Sequence, residues 1–360
     1  MADIISIATA VPAFCHQQKD ILHFMQEAYG LDEVEKRKLA FLYNLSGIDT
    51  RHSVIADYGA DRTDWTFIPK DETAFPSLEG RMKLYQQHAM PLSKEAVEKC
   101  IDGKINCQQI THLITVSCTG MAAPGLDLEL MEALALPATV NRTSVNFMGC
   151  YAAIHALKMA KMICDSTPNA NVVIVATELC TLHFQQEYSL DNAASSLLFA
   201  DGSAAVLVSN CISSPQSIAL RQFYSKVAFR GKNDMSWQLS SKGFLMTLSG
   251  YVPQLIEEDI ASLVDEALEQ QHIQRGEVTH WCIHPGGRKI VDSIQKKLSL
   301  TEADVQHSRN ALANYGNMSS ATILFVLKEM MEDESASPKN IFGVAFGPGL
   351  TMETFIATKA

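Results

Sequence analysis

The chain has 360 residues, of which 47% are hydrophobic and 19% charged, and its formal net charge is −11. This apolar content excludes an intrinsically disordered protein, because such chains cannot bury enough apolar surface to offset their ordering entropy. The negative charge argues against nucleic acid as a partner, since phosphate binding needs clustered lysine and arginine. An anionic small-molecule substrate stays open, because a local basic patch is enough to bind it.

Neither the N-terminus nor the cysteines indicate export. The first residues, MADIISIATAVPAF, are apolar but carry Asp3 in place of a basic segment, so they predict a β-strand and not a signal peptide. No apolar run reaches the roughly 18 residues that a membrane span needs. The nine cysteines are odd in number and form no CxxC pair, which favours neither a disulfide framework nor a zinc site. We therefore expect a cytoplasmic protein without a bound metal.

Short apolar runs alternate with helical patterns along the chain. Residues Arg51–Leu78, with Trp65 and two prolines among polar residues, are interpreted as a surface excursion. Helical patterns cover Ser93–Ile101 and Val252–Gln270. The runs that predict buried strands are Leu113–Ser117, Val172–Ala176, Ala204–Val208, Trp281–Ile283 and Ile341–Ala345. This alternation predicts an α/β fold with covered sheets.

Two further helices, Cys150–Cys164 and Met318–Met331, are apolar nearly all round, which is typical of buried helices. They start at equivalent positions of an internal duplication. The Thr-His pair in QITHLITV recurs in EVTHWCIH 168 residues later, and the same offset superposes the two helix starts. The duplication predicts two related halves, residues 1–215 and 216–360, with the two apolar helices between two sheets.

Three residues beside these elements predict a chemical site. Cys150 follows Gly149 at the start of the first apolar helix, where backbone N–H groups and the helix dipole favour a thiolate. His284 ends a predicted strand in the second half and precedes Pro-Gly-Gly, and Asn317 comes just before the second apolar helix. A nucleophile, a base and an amide donor can therefore meet. This set suits acyl transfer from a thioester followed by stabilisation of an enolate.

The same residue types also occur in structural roles and in a different class of enzyme. Most free cysteines are buried as small hydrophobic residues, a histidine can be packed, and asparagine is a favoured N-cap. A Cys-His-Asn set also occurs in cysteine proteases, where the asparagine orients the histidine. The papain-like signature around the cysteine is absent from this chain.

Four motifs give these residues a context: VNFMGCYA around Cys150, IHPGG at His284, NYGNMSSAT at Asn317 and AFGPGLTMET near the C-terminus. Together they resemble the chalcone synthase-like type III polyketide synthases, the bacterial members most closely. The resemblance implies a thiolase-like fold with a duplicated five-layer αβαβα core and a homodimer. It also implies that Cys150 holds the starter and the growing chain, while His284 and Asn317 catalyse decarboxylation and stabilise the enolate. Acyl-CoA and malonyl-CoA are the implied substrates, with no separate cofactor or metal.

The resemblance further implies a substrate pocket. Phe199 in LLFADG matches the gatekeeper phenylalanine of the family, and Met246 stands where plant enzymes have a second phenylalanine. The other matching pocket positions are Cys118, Glu178, Cys180, His183, Trp237 and Ser319. Several of these differ from the plant pattern, so we expect an aliphatic starter and not a plant starter such as coumaroyl.

The implied coenzyme A site is less complete. Lys38 matches a basic residue that binds the nucleotide phosphates in the family, but Phe41 and Leu45 stand where two others would be. Arg288 and Lys289, just after HPGG, can supply the missing charge or can simply begin a solvated helix.

Three functional hypotheses follow. The first is an iterative decarboxylative condensing enzyme that loads an acyl-CoA, extends it with malonyl-CoA and releases a pyrone or resorcinol-type product. The second is a 3-oxoacyl synthase that performs a single condensation with carrier-protein-bound malonate, since it uses the same three residues. The third is a non-catalytic thiolase-fold partner subunit, although such subunits typically lose the nucleophile. The HPGG and FGPG motifs favour the first.

Overall fold

A nine-stranded mixed sheet runs through the computed structural model, which describes residues 1–69, 75–333 and 339–359. The strands are β1 (Asp3–Ala10), β2 (Phe14–Gln17), β3 (Thr50–Ser53), β4 (His112–Ser117), β5 (Asn141–Asn146), β6 (Asn171–Leu179), β7 (Asp201–Ser209), β8 (Ile218–Val227), β9 (Met235–Ser240), β10 (Gly243–Leu248), β11 (His280–Ile283), β12 (Lys339–Gly347) and β13 (Thr351–Lys359). The helices are α1 (Gln18–Ala28), α2 (Glu33–Asn44), α3 (Leu78–Ile101), α4 (Leu126–Ala133), α5 (Ala152–Ser166), α6 (Leu190–Leu198), α7 (Val252–Glu269), α8 (Arg288–Leu298), α9 (Glu302–Tyr315) and α10 (Thr322–Glu332). Two small antiparallel pairs, β2–β3 and β9–β10, lie outside the large sheet.

The strand order, β11-β12-β13-β8-β1-β7-β6-β4-β5, contains one arrangement twice. Outward from the centre, β1-β7-β6-β4 matches β8-β13-β12-β11, and in each set only the last two strands are parallel. The two sets meet at β1 and β8, which pair only at Asp3–Ala219 and Ile4–Ile218. The predicted boundary between residues 1–215 and 216–360 falls between β7 and β8, and it stays a prediction.

The helices α5 and α10 lie between the two half-sheets. Their buried side chains share one core cluster with strand residues of both halves, for example Val206 of β7 and Phe355 of β13. On β6, Val172 and Ile174 face this central cluster, while Val173 and Val175 face an outer cluster that includes α1 and α3. A third cluster packs α7 and α8 against the second half-sheet. The α/β prediction with a five-layer αβαβα core is confirmed, and β6 and β7 are buried along their whole length because both of their faces are covered.

The predicted strands all lie within observed strands, and the two helical patterns fall in α3 and α7. The two apolar helices begin later than predicted, at Ala152 and Thr322. Met318, the residue that the duplication pairs with Cys150, is fully buried. Its sulfur packs against Gly202, where a Cβ would lie 2.4 Å from Sδ.

The interpretation of residues 51–78 as a surface excursion is wrong for its buried parts, although residues 61–64 are exposed as predicted. Trp65 is 5% exposed, and Phe67 and Ile68 are buried beside α1 and α3. The buried carboxylate of Asp57 accepts the backbone N–H groups of Phe67 and Ile68, both at 2.8 Å. These bonds satisfy the backbone of an irregular segment inside the core, which a polar composition does not reveal. Residues 70–74 lie outside the described residues.

In the described ranges no helix combines the length and hydropathy that crossing a bilayer requires. The same residues contain no group of three or more His, Cys, Asp or Glu side chains placed to hold a metal ion. All nine cysteines are free.

The central layer gives a prediction about stability. Ala156 of α5 is fully buried between the half-sheets, so Ala156→Leu has no space for its added methyl groups. We expect the free energy of unfolding, measured in urea, to fall by about 1–3 kcal/mol. Ala303→Leu, on the exposed side of α9, makes the same change in solvent and should stay within about 0.5 kcal/mol of the wild type. Equal losses in both variants would contradict a closely packed central layer.

Candidate active site

Cys150 lies in a tight turn where the two halves of the fold touch. Gly149 has φ +88°, a left-handed conformation that favours glycine, and a Cβ at this position would lie 2.3 Å from Pro348 Cδ. Pro348 belongs to the FGPG motif at the end of β12. The Cys150 Sγ–H donates to Ser319 Oγ at 3.6 Å. The nucleophile candidate of the first half thus contacts residues of the second.

The pKa of Cys150 is raised to about 12, chiefly by burial and also by the nearby Glu178, against the opposing effect of the Ser319 hydroxyl and the Asn317 amide. The expectation of a thiolate favoured by a helix N-terminus is therefore wrong for the free protein. Cys150 precedes Ala152, the first helical residue, by two positions. The cost of desolvating a thiolate outweighs the hydrogen bonds at this site.

Asn317 is fixed by its backbone and by its side chain. Its N–H donates to the Leu198 carbonyl and its own carbonyl accepts the Ala200 N–H, both at 2.9 Å. The Oδ1 atom accepts the Ser319 N–H at 2.8 Å, and one Nδ2 hydrogen is donated to the Gly286 carbonyl at 3.2 Å. The amide also reaches the Cys150 sulfur, since a hydrogen bond from Asn317 lowers the pKa of that thiol.

His284 directly follows β11 and opens the Pro-Gly-Gly turn. The residue is 1% exposed, and neither ring nitrogen has a hydrogen-bond partner in the part of the chain that the structure describes. Burial lowers the pKa of His284 to about 3, so the ring is neutral. Its carbonyl accepts the Gly286 N–H at 2.9 Å, and Gly286 in turn binds Asn317. Buried polar atoms are rarely left unpaired, so two open ring nitrogens indicate a ligand site.

A cavity lies beside Cys150. Six of the residues that the resemblance assigns to the pocket line it, namely Cys118, Cys180, Phe199, Trp237, Met246 and Ser319. Thr119, Met235 and Pro348 line it as well. These three were not predicted from the sequence, and only Pro348, inside the FGPG motif, carried a signal.

Glu178 lies behind the wall of this cavity and is fully buried. Its carboxylate accepts the Cys118 N–H at 2.9 Å, the Thr119 hydroxyl at 2.8 Å and the Ser320 hydroxyl. Burial raises the pKa of Glu178 to about 7, and these hydrogen bonds partly oppose that rise. Glu178 is therefore a positioning residue that holds the wall without facing the cavity.

Cys118 connects that wall to the nucleophile turn. Its sulfur accepts the Gly149 N–H at 3.0 Å, and its carbonyl accepts the Trp237 indole N–H at 2.7 Å. Burial raises the pKa of Cys118 well above its usual value. The neutral Cys118 thiol thus accepts a hydrogen bond from the backbone next to Cys150.

His183 lines a second cavity and not the one at Cys150. Four residues line both cavities: Cys180, Phe199, Trp237 and Met246. The Nδ1 atom of His183 accepts the Phe244 N–H at 3.1 Å, so the Nε2–H donates to the Thr119 carbonyl at 2.7 Å. Burial lowers the pKa of His183 to about 3. A neutral ring that is satisfied at both nitrogens acts as part of the wall.

The three residues assigned to coenzyme A lie at the surface. Lys38 is exposed on α2, and Arg288 and Lys289 are exposed at the start of α8. The stem of Arg288 packs against Gly47, just beyond the end of α2. The structure thereby places the start of α8 next to the end of α2, in the same region as the exposed Phe41 on that helix.

Comparisons with known proteins identify the same family in both halves of the chain. Residues 1–211 match the family described as chalcone and stilbene synthases, N-terminal domain, and residues 220–359 match the C-terminal domain of the same family. The alpha-pyrone synthesis polyketide synthase-like Pks18 of Mycobacterium tuberculosis is 28% identical over 361 residues, which cover 98% of this chain and 90% of the relative. Type III polyketide synthase A of Arabidopsis thaliana is 30% identical over 369 residues, which cover 98% and 91%.

The fold has a counterpart among solved structures. PKS-I from the brown alga Ectocarpus siliculosus superposes with a TM-score of 0.94 at 28% identity, over 100% of this chain and 98% of that one. This similarity confirms the prediction of a thiolase-like fold.

The buried carboxyl of Glu178 predicts a pH dependence of stability. Its pKa is raised from 4.5 to about 7 in the folded protein, so folding retains a proton and the free energy of unfolding falls as pH rises through this window. The difference corresponds to about 3 kcal/mol. We expect Glu178→Gln to remove this part of the decline between pH 4.5 and 7.5, measured by urea unfolding.

Glu269→Gln, on an exposed residue at the end of α7, is the matched control and should keep the wild-type pH dependence. If the wild type and Glu178→Gln lose stability equally with pH, the carboxyl is not held protonated by burial.

Proposed function

The chain belongs to the chalcone and stilbene synthase family of type III polyketide synthases, and from that membership we propose how its residues share the reaction. Proteins of this family are acyltransferases that carry out decarboxylative condensations on coenzyme A thioesters. Iterative extension with malonyl-CoA fits this chain as well. The roles of single residues, the product and the assembly are our proposals.

In the loading step, Cys150 attacks the carbonyl carbon of an acyl-CoA. The thiol proton passes to His284, the new bond forms between Sγ and the acyl carbon, and the bond to the sulfur of coenzyme A breaks. The proton then leaves with that sulfur as the free coenzyme A thiol. The neutral states of both side chains, which burial favours, support this order, because the thiol needs a base only when substrate is present.

In the extension step, malonyl-CoA loses carbon dioxide. The carbon–carbon bond to the carboxylate breaks, and its electron pair delocalises into the thioester oxygen as an enolate. His284, as a ring N–H donor, and the Nδ2 group of Asn317 stabilise that oxygen. The enolate carbon attacks the acyl carbon on Cys150, and the bond from that carbon to Sγ breaks. The chain grows by two carbons, and the thiolate that leaves takes a proton from solvent and returns to the thiol.

One observation carries this assignment: the two unpartnered ring nitrogens of His284 in a buried position, with Asn317 bound to the same turn. A merely structural histidine would satisfy its ring as His183 does. Phe199, Met246 and the other cavity residues would then enclose the growing chain.

We propose a pyrone or resorcinol-type product. The similarity to Pks18, whose name refers to alpha-pyrone synthesis, supports the pyrone. The lining of the cavity at Cys150 is mostly apolar, which supports an aliphatic starter.

We also propose a cytoplasmic homodimer that needs no cofactor and divides into halves near residue 215. The outer edge of β5 supports the dimer, since within the described residues no strand pairs with it beyond β4 and open strand edges are usually covered. Lys38, Arg288 and Lys289 would meet the phosphates of coenzyme A, supported by their exposure near the end of α2.

To test the proposal, the protein is incubated with hexanoyl-CoA and malonyl-CoA, and both the products and the protein are analysed by mass spectrometry. We expect a hexanoyl adduct on Cys150 and extended, cyclised products from the wild type. Cys150→Ala should lose both adduct and products. Asn317→Ala should keep the adduct but release carbon dioxide about 100-fold more slowly, because only the enolate loses a donor. Cys211→Ala, on an exposed cysteine, is the control and should behave as the wild type.

The result also decides between the alternatives. Extension only with malonate on a carrier protein would support a 3-oxoacyl synthase instead. A protein that forms no adduct on Cys150 would be a non-catalytic partner subunit.

A further inference from the structure

The second cavity contains a buried cation that the proposed reaction does not use. Arg51, on β3, lines this cavity and is 2% exposed. Its stem packs against Gly316, where a Cβ would lie 2.8 Å from Arg51 Cγ. The guanidinium therefore lies beneath the backbone that leads into Asn317.

Two of the three guanidinium nitrogens of Arg51 have acceptors. Nε donates to Gln18 Oε1 at 2.9 Å, and Nη1 donates to the Phe199 carbonyl at 2.6 Å. Among the described residues Nη2 has no hydrogen-bond partner, and no carboxylate forms an ion pair with the guanidinium. The Tyr43 hydroxyl interacts with the guanidinium and the Tyr58 hydroxyl lies near it, but neither supplies a negative charge, because burial raises the pKa of both.

The other polar side chains of the cavity are already satisfied. Thr181 donates its hydroxyl to Asp201 at 2.6 Å. Ser195 and Ser196 donate to main-chain carbonyls of their own helix, and Asn192 donates to the Glu187 carbonyl. Arg51 is therefore the group on this wall that still requires an acceptor. Buried charges are normally paired, because an isolated one loses its hydration without compensation.

The second cavity adjoins the one at Cys150. Phe199, Trp237 and Met246 line both, and Arg51 holds the Phe199 carbonyl directly. Met246 has an unbranched, flexible side chain that can move aside for a chain passing between the two. An acyl group on Cys150 can thus extend toward the guanidinium.

We propose that the second cavity receives the far end of the starter acyl group and that Arg51 binds a carboxylate at that end. The starter is then the coenzyme A monothioester of an aliphatic dicarboxylic acid. A methyl-terminated chain would leave the buried cation without an anion, whereas a terminal carboxylate supplies both the charge and the acceptor for Nη2. This inference rests on the proposed function, since it requires the acyl group on Cys150.

The test compares two starters of equal length, hexanoyl-CoA and adipoyl-CoA, with malonyl-CoA as extender. We expect the wild type to use adipoyl-CoA with a kcat/KM at least tenfold higher. In Arg51→Gln the ratio of kcat/KM for adipoyl-CoA to kcat/KM for hexanoyl-CoA should fall to one or below. Arg51→Lys should restore part of the wild-type ratio. Because each ratio is taken within one variant, a general loss of activity cancels. Arg221→Gln, on an exposed arginine of β8, should keep the wild-type ratio.

Arg51→Gln can also fail to fold, since Arg51 anchors Phe199. A crystal structure of the wild type acylated by adipoyl-CoA provides an independent readout, with the carboxylate expected within hydrogen-bond distance of Nη2. Equal use of both starters by the wild type, or a water on Nη2 with the chain elsewhere, would overturn the inference and leave the proposed function standing. Failure to acylate Cys150 with either starter would instead overturn the proposed function.

Discussion

The close contact between Gly149 and Pro348 is the constraint on which the rest of the site depends. The nucleophile turn comes from the first half of the chain, whereas His284, Asn317 and the FGPG turn come from the second. The sheet itself joins the halves through only two residue pairs between β1 and β8, so packing has to set the distance between the reacting groups. Glycine at position 149 lets the two backbones meet without a side chain between them, and an error of about 1 Å in such a site costs much of the rate.

Burial sets the chemical state of the site before any substrate arrives. It raises the pKa of Cys150 and lowers that of His284, so the free protein holds a neutral thiol and a neutral imidazole. A thiolate–imidazolium pair is disfavoured in such surroundings until a reacting carbonyl or enolate shares the charge. In the proposed mechanism the Cys150 thiol therefore becomes reactive when a thioester is bound and not in the free protein.

The sequence predicted the layers of the fold and the motifs of the site for a common reason: both depend on local patterns. Continuous apolar strands, two apolar helices and the Gly-Cys, His-Pro-Gly-Gly and Asn-Tyr-Gly-Asn turns are visible in short windows. The protonation state of Cys150 was misjudged because it depends on everything packed around the sulfur. Arg51 and Asp57 were overlooked because a charged residue in an irregular segment resembles a surface residue until its burial is known. His183 was placed in the pocket, but its two hydrogen bonds make it part of the wall of the second cavity.

The buried Met318 shows how the two halves of the duplicated fold differ. A duplication supplies two equivalent corners at which a helix meets a sheet, and each has a sulfur-bearing residue at the matching position. At one corner the sulfur is a thiol beside a cavity; at the other it is a thioether wedged against Gly202 and cannot act as a nucleophile. In the proposed mechanism only one of these two corners can carry an acyl group, although the backbone at both is equivalent.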